Sequence, residues 1–494
     1  MNHCLVVSHK KLQTFRTFAA SKFSSFTKSA QKSIKYSFQF IYQNNPLFVH
    51  VAYFALISFA GYGSLKVLKP RDKSNTLKDL DVLFTSVSAS TVSSMATVEM
   101  EDFSSAQLWV LTILMLIGGE VFTSMLGIHF MRAEFGTKES VSTRDHSPCI
   151  DIESITSTKF GPSTQGTKVT VSFSELRMEN GGHVEPKTIK FLGFVVMGYL
   201  LITNLGGSLL IYLYLNLVPS AHKILKRKGI GIIVFSVFTA ISSVGNCGFT
   251  PVNENMIIFQ KNSILLLLIL PQILAGNTLF APCLRLMVWS LEKITGKKDC
   301  RYILEYPKAI GYKHLMSTRE SVYLTLTVVS LIILQTVLFL SLEWSSVALD
   351  GMSNYQKIVS ALFQSVNARH AGESVTDLSN LSSAILVLYT IMMYLPGYTS
   401  FLPRHDERDS MATDPLNFNV FSILFEVVSA YGNVGFSVGY SCKRLLNHDA
   451  RCKDASYGFA GKWSDNGKAI LIIVMLFGRL KTFNMKGGRA WKLR

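Results

Sequence analysis

Charge is scarce in this chain. Only 16% of its residues are Asp, Glu, Lys or Arg, where a soluble globular domain carries about a quarter. The deficit excludes a water-facing surface over most of the length and points to lipid. Acid is scarcer still towards the start, where Asp72 is the first acidic residue. The seven cysteines (Cys4, Cys149, Cys247, Cys283, Cys300, Cys442, Cys452) form no CxxC pair and no Cys/His cluster of zinc spacing, so no resident metal site and no cofactor are implied. A net charge of +17 raises nucleic acid as a partner. The basic residues sit in polar stretches between apolar runs rather than in one stripe, and nucleic-acid binding is set aside.

What is abundant is apolar sequence, 48% of the residues. A bilayer core takes roughly 20 apolar residues per helix. The runs Pro46–Leu65, Gln107–Gly127, Lys190–Val218, Ile264–Leu286, Val322–Leu342, Ser383–Leu402 and the shorter Ala469–Lys481 are the candidate spans. Between them lie four apolar stretches too short or too broken to cross: 80–95, 231–248, 355–372 and 418–435. Irregular backbone at membrane depth is tolerated only where protein buries it or it lines water. Four half-spans therefore point to four re-entrant loops around one pore. The basic start, 1–45, reads as a cytosolic tail obeying the positive-inside rule rather than as a transit peptide. The polar segments 132–187 and 291–319 read as cytosolic linkers.

The ends of the half-spans repeat. They read Thr91-Val-Ser-Ser-Met95, Gly245-Asn-Cys-Gly-Phe249, Arg369-His-Ala-Gly-Glu373 and Gly432-Asn-Val-Gly-Phe436, placing Ser94, Gly248, Gly372 and Gly435 in register. A second register follows in the next helix: Gly119-Glu120, Gly276-Asn277, Gly397-Tyr398 and Gly478-Arg479. A selectivity filter replaces an ion's water shell with inward-turned carbonyls, and glycine reaches the required backbone angles freely. One glycine in a turn is usually a bend; four small residues in register, each after a half-span, are a filter pattern.

This arrangement resembles the plant HKT transporters of the Trk/Ktr/HKT superfamily over nearly the whole chain. The resemblance is carried by Phe84-Thr-Ser-Val-Ser, Thr91-Val-Ser-Ser-Met-Ala-Thr-Val-Glu-Met-Glu, Leu116-Ile-Gly-Gly-Glu-Val-Phe, Asn367-Ala-Arg-His-Ala-Gly-Glu, Asp414-Pro-Leu-Asn-Phe and Ser429-Ala-Tyr-Gly-Asn-Val-Gly-Phe. It implies an all-α membrane protein of four helix–pore loop–helix repeats about a pseudo-fourfold pore. The repeats would be A (46–131), B (188–290), C (320–403) and an incomplete D (404–494). It implies no enzyme but a monovalent-cation transporter at the plasma membrane, with a place in sodium homeostasis and salt tolerance. The filter residues carry over to Ser94, Gly248, Gly372 and Gly435, a Ser-Gly-Gly-Gly pattern that the family associates with sodium; potassium or mixed transport is the alternative. The superfamily's arginine in the conduction path carries over to Arg479; the alternative is an arginine snorkelling to the inner face. Whether two chains pair stays open.

Other residues carry weaker readings. Glu99, Glu101, Asp102, Glu254 and Glu373 follow filter positions and would enrich cations at the mouth, or stand there as solvated loop charges. Gly435-Phe-Ser437-Val-Gly439 matches a hydrolase nucleophile elbow but lacks the strand and partners that motif needs.

One departure from the family stands out. The filter residues are separated by 154, 124 and then only 63 positions. Between repeat C and the fourth loop the chain offers only 14 residues, 404–417, opening with Arg404, His405, Asp406, Glu407, Arg408 and Asp409. Extended they reach about 45 Å, but that charge crosses lipid only at large cost. The chain is thus expected to lack repeat D's first helix, as a shortened isoform or incomplete gene model, to seat its fourth loop badly and to conduct poorly. Cys442 and Cys452 share one polar loop, where a disulfide would contribute about 2–3 kcal/mol by closing roughly ten residues. Mass spectrometry of unreduced protein should find the linked peptides; free thiols at both positions would refute the pairing.

Overall fold

The computed structural model describes residues 46–71, 77–129, 186–276, 279–312, 314–394, 420–440 and 458–484. The chain divides into two compact units, Met1–Tyr53 and Phe54–Arg494. Of the first, only residues 46–53 are described, within helix α1 (Pro46–Val67); every other described helix belongs to the second.

The described residues of that second unit are helical apart from the loops that follow the half-spans, short turns and a lone bridge residue at Tyr440. Each of the four half-spans is a short helix: α2 (Asp79–Ser90), α7 (Ile232–Gly245), α12 (Asn354–His370) and α14 (Val420–Gly432). Each ends two to four residues before its filter position. The inner helix of repeat A is α3 (Ser105–Gly118), continued by α4 (Glu120–His129) after a 54° bend. In repeat B the outer helix α5 (Pro186–Leu217) and connector α6 (Pro219–Lys228) precede the half-span, and α6 meets α7 at 98°. The inner helix α8 (Ser263–Gly276) is followed at 89° by α9 (Phe280–Thr295), then α10 (Lys298–Glu305). Repeat C has outer helix α11 (Thr318–Glu343) and inner helix α13 (Ser383–Tyr394), and repeat D ends in α15 (Asp465–Asn484). By length and composition α5 and α11 suffice to cross a bilayer core, and each bent pair does so if counted as one span.

Two expected spans are therefore broken. Gln107–Gly127 is interrupted at Gly119, whose extended ψ of 150° ends α3. Ile264–Leu286 is divided between α8 and α9. Both breaks directly follow a close contact between inner helix and half-span, a contact that α15 also makes without breaking. A Cβ on Gly118 would run into the Ser90 carbonyl, one on Gly276 into that of Val244, and one on Gly478 into that of Tyr431. Ser90, Val244 and Tyr431 each stand four residues before the filter position of their own repeat. The second register of repeat A is therefore Gly118, not Gly119, and Arg479 is the counterpart of Gly119 rather than Glu120. Gly397 lies outside the described residues, as do Cys442, Cys452 and residues 404–409.

The half-spans share an anchor. Phe84, Phe238 and Phe425 stand ten residues before their filter positions and Phe363 nine, and all four are fully buried. Their turns close alike, by backbone bonds from Ser93 N to Ser88 O (2.8 Å), Cys247 N to Ser242 O (2.8 Å), Gly372 N to Asn367 O (3.2 Å) and Val434 N to Ser429 O (3.0 Å). These bonds satisfy carbonyls that a helix end would leave orphaned.

Gly276→Ala should therefore destabilise the protein by about 1–3 kcal/mol, the usual cost of overpacking. Gly206→Ala, on α5 with open space around its Cα, should leave the thermal midpoint in detergent unchanged or slightly raised. Equal midpoints for the two variants would contradict the close packing.

Candidate functional site

Ser94, Gly248, Gly372 and Gly435 come together, each at positive φ: 54°, 82°, 75° and 87°. A Cβ on Gly248 would overlap the Ala371 carbonyl and lie 3.1 Å from the Gly372 carbonyl carbon. One on Gly372 would overlap the Val434 carbonyl and lie 3.1 Å from the carbonyl carbon of Gly435. One on Gly435 would overlap Ser94 Cβ and lie 2.8 Å from the Ser93 carbonyl oxygen. Cys247 in turn lies against the Ser94 backbone. The four loops thus touch in the cyclic order A, B, C, D and back to A. The negative end of each half-span helix meets this ring, a field that favours a cation.

Loop A is the strained one. Glycine holds left-handed angles freely, but Ser94 does so at about 1–2 kcal/mol. Val92 does the same at φ 51°, where the matching positions carry Asn246 and Asn433, residues that tolerate it better. Those asparagines also anchor their loops to the inner helices. Asn246 Nδ2 donates to Ile273 O (3.2 Å), and Asn433 Nδ2 to Met475 O (3.1 Å) and to Ser93 Oγ (2.6 Å).

The fourth loop is seated in the ring, so the expectation that it would be badly placed does not hold. Asn433 ties it to loop A, and Tyr389 of repeat C packs against Phe436 at 5.6 Å between ring centroids. A buried ion pair, Lys468 Nζ to Asp81 Oδ1 (2.8 Å), joins α15 to α2.

The acids divide. Lys228 bonds Glu101 (2.8 Å) and Glu254 (2.5 Å). Burial works against the charge of that lysine, but the two carboxylates raise its pKa overall. Asn253 Nδ2 donates to Glu99 (2.8 Å), and Glu101 N to Asn253 Oδ1 (3.0 Å). Burial, with Asp102 and Glu101 close by, pushes the Glu99 carboxyl up. These groups brace loop A against loop B. Glu373 is fully buried and accepts from Ser243 Oγ (2.6 Å), joining B to C. Asp102 serves through its backbone, accepting from Arg71 N (3.0 Å).

Arg479 is buried, donates through Nη2 to the Gly118 carbonyl and stacks over Phe54 at 5.9 Å. It lies within protein, not at a lipid-facing edge. Sequence reasoning missed three residues. Glu426 is fully buried and accepts from Ser437 Oγ and from Val438 N (3.1 Å). Gln364 accepts from Val375 N (3.0 Å) in the same role. Both directly follow the anchoring phenylalanine, a signal present in the sequence. Lys468 is the third.

A helical chain with four half-span loops closed into one ring of small residues defines a single-chain pore-loop cation transporter. The sequence profile of the TrkH cation transport protein family matches residues 162–402 and 410–490. The chain belongs to this family, and within it to the HKT cation transporters. It is 93% identical to the cation transporter HKT1;3 of Oryza sativa subsp. japonica over 531 aligned positions, covering all of both chains. It is 45% identical to the sodium transporter HKT1 of Arabidopsis thaliana, covering 87% of this chain and 92% of that one. The crystal structure of the potassium transporter TrkH from Vibrio parahaemolyticus superposes with a TM-score of 0.49 at 15% identity, over 89% of this chain and 84% of that one.

Breaking the Asp81–Lys468 pair should be costly. Lys468→Met leaves a buried carboxylate uncompensated, a loss of about 3–5 kcal/mol. Asp81→Leu combined with Lys468→Met should recover most of the thermal midpoint. A single variant as stable as the parent would show that the pair does not close the ring.

Proposed function

We propose that the chain carries sodium through the ring of Ser94, Gly248, Gly372 and Gly435, at the plasma membrane. The observation that carries this reading is the asymmetry of the ring. At Gly248 and Gly372 a Cβ would overlap the next loop's carbonyl. Ser94 bears a Cβ, which stands against Gly435 of loop D, so the ring carries a side chain at this one position. Potassium, less tightly hydrated than sodium, depends more on a complete cage of carbonyls, and tenfold discrimination needs only about 1.4 kcal/mol. Arg479, held beside the end of α3, opposes cation passage as an electrostatic barrier. Glu99, Glu101, Glu254 and Glu373 act as braces that set the spacing of loops A, B and C, rather than as free charges gathering cations.

A second reading is favoured by one observation. The alignment with the rice transporter runs over 531 positions against 494 residues here, so 37 positions lack a counterpart. Since 93% of 531 is about 494, that gap accounts for nearly all of the difference. The family match breaks at 403–409, where the sequence is too short and too charged to cross. A segment of 37 residues is long enough for one span. On this reading the chain is a shortened form without conduction of its own, acting through a partner.

Voltage clamp of cells expressing the chain, in bi-ionic sodium and potassium solutions, separates the two. The first reading expects current reversing near the sodium potential and, in Ser94→Gly, a relative potassium permeability raised about tenfold, the worth of roughly 1.4 kcal/mol. A conducting Ser94→Gly variant with unchanged permeability ratios would overturn the role of Ser94. Surface protein without current would establish the second reading.

A further inference from the structure

The break between α3 and α4 has chemistry that the ring does not use. Gly119 N bonds to Leu116 O (3.4 Å), so the Met115 carbonyl loses its helical donor. That oxygen lies 3.5 Å from a Cβ built on Gly245, at the end of α7. A small cavity opens here, lined by Met115, Gly119 and Glu120 of repeat A and by Asn204, Val244 and Gly245 of repeat B. Asn204 is 8% exposed; its Nδ2 donates to Leu200 O (2.8 Å), and its Oδ1 is buried without a partner. Among the described residues the Glu120 carboxylate has neither a hydrogen bond nor an ion pair. An ionisable side chain inside an apolar span is costly and by default functional.

We infer that this cavity is a lateral binding site for one dehydrated, sodium-sized monovalent cation, held by the Glu120 carboxylate, Asn204 Oδ1 and the Met115 carbonyl. The donors are all oxygens with a single negative charge, as a hard monovalent cation requires. Carbonyls at the end of a broken helix supply the same partial negative charge that holds sodium in other transporters. The free space is of the order of one water molecule. A divalent ion would take more carboxylates, and among the described residues no cluster of three Asp, Glu, His or Cys side chains exists. Arg479 meets the same break through the Gly118 carbonyl. A cation at Glu120 would thus stiffen the hinge to which the arginine is clamped.

The site is independent of conduction and is read without it. Infrared difference spectra of the purified full chain in lipid, sodium minus N-methylglucamine at constant ionic strength, should show a carboxylate band that is lost in Glu120→Gln. Asn204→Leu should keep the band and raise the half-saturating sodium concentration about tenfold, as expected for loss of one good ligand. Ser94→Gly, which alters only the ring, should leave the band in place. A band unchanged in Glu120→Gln, or no sodium-dependent carboxylate band in the parent, would overturn the site and leave the cavity to a water molecule. If Glu120→Gln does not fold, an Asn204→Leu titration identical to the parent's would overturn it equally.

Discussion

Backbone meets backbone at the ring, and the rest of the architecture depends on that closeness. Where Gly248 and Gly372 stand, no room exists for a single Cβ beside the next loop's carbonyl. The same rule operates one layer out, where Gly118, Gly276 and Gly478 let the inner helices lie against half-span carbonyls. Interiors this tight transmit sub-ångström changes. One hydroxymethyl group at Ser94 is therefore enough to set one junction apart from the others. The strain at Ser94 and Val92 is local and small beside the burial of four phenylalanines that hold the half-spans in place.

Much of this architecture is legible in the sequence. The half-spans and the four small residues stand out because a re-entrant loop leaves a distinct trace: an apolar run too short to cross, ending in residues chosen for positive φ. The second register slips by one in repeat A because Gly118 and Gly119 are adjacent, and only packing against Ser90 tells them apart. The bends at Gly119 and beyond Gly276 are hidden because hydropathy is blind to helix direction. The Asp81–Lys468 pair joins residues 387 positions apart, and neither position is unusual alone. Glu426 and Gln364 could have been found from the repeated phenylalanine that precedes them.

The electrostatics divide along the same lines. Charges outside the apolar runs pair to hold loops at a fixed spacing, as Lys228 does between Glu101 and Glu254. Buried charges act across repeats, as Lys468 does on Asp81 and Arg479 on the end of α3. At the ring, helix ends and carbonyls present partial negative charge, a field that favours a cation.

The fourth loop bears the most weight, since the sequence before it holds only the short charged stretch 404–417 after repeat C. An electron cryo-microscopy map of the chain in a sodium-containing lipid nanodisc probes it without mutation. Gly435 should stand between Gly372 and Ser94, with cation density on the axis of the four loops. A map with α14 and its loop displaced from Ser93 and Ser94, and no density on that axis, would contradict both the closed ring and its role as the path for the ion.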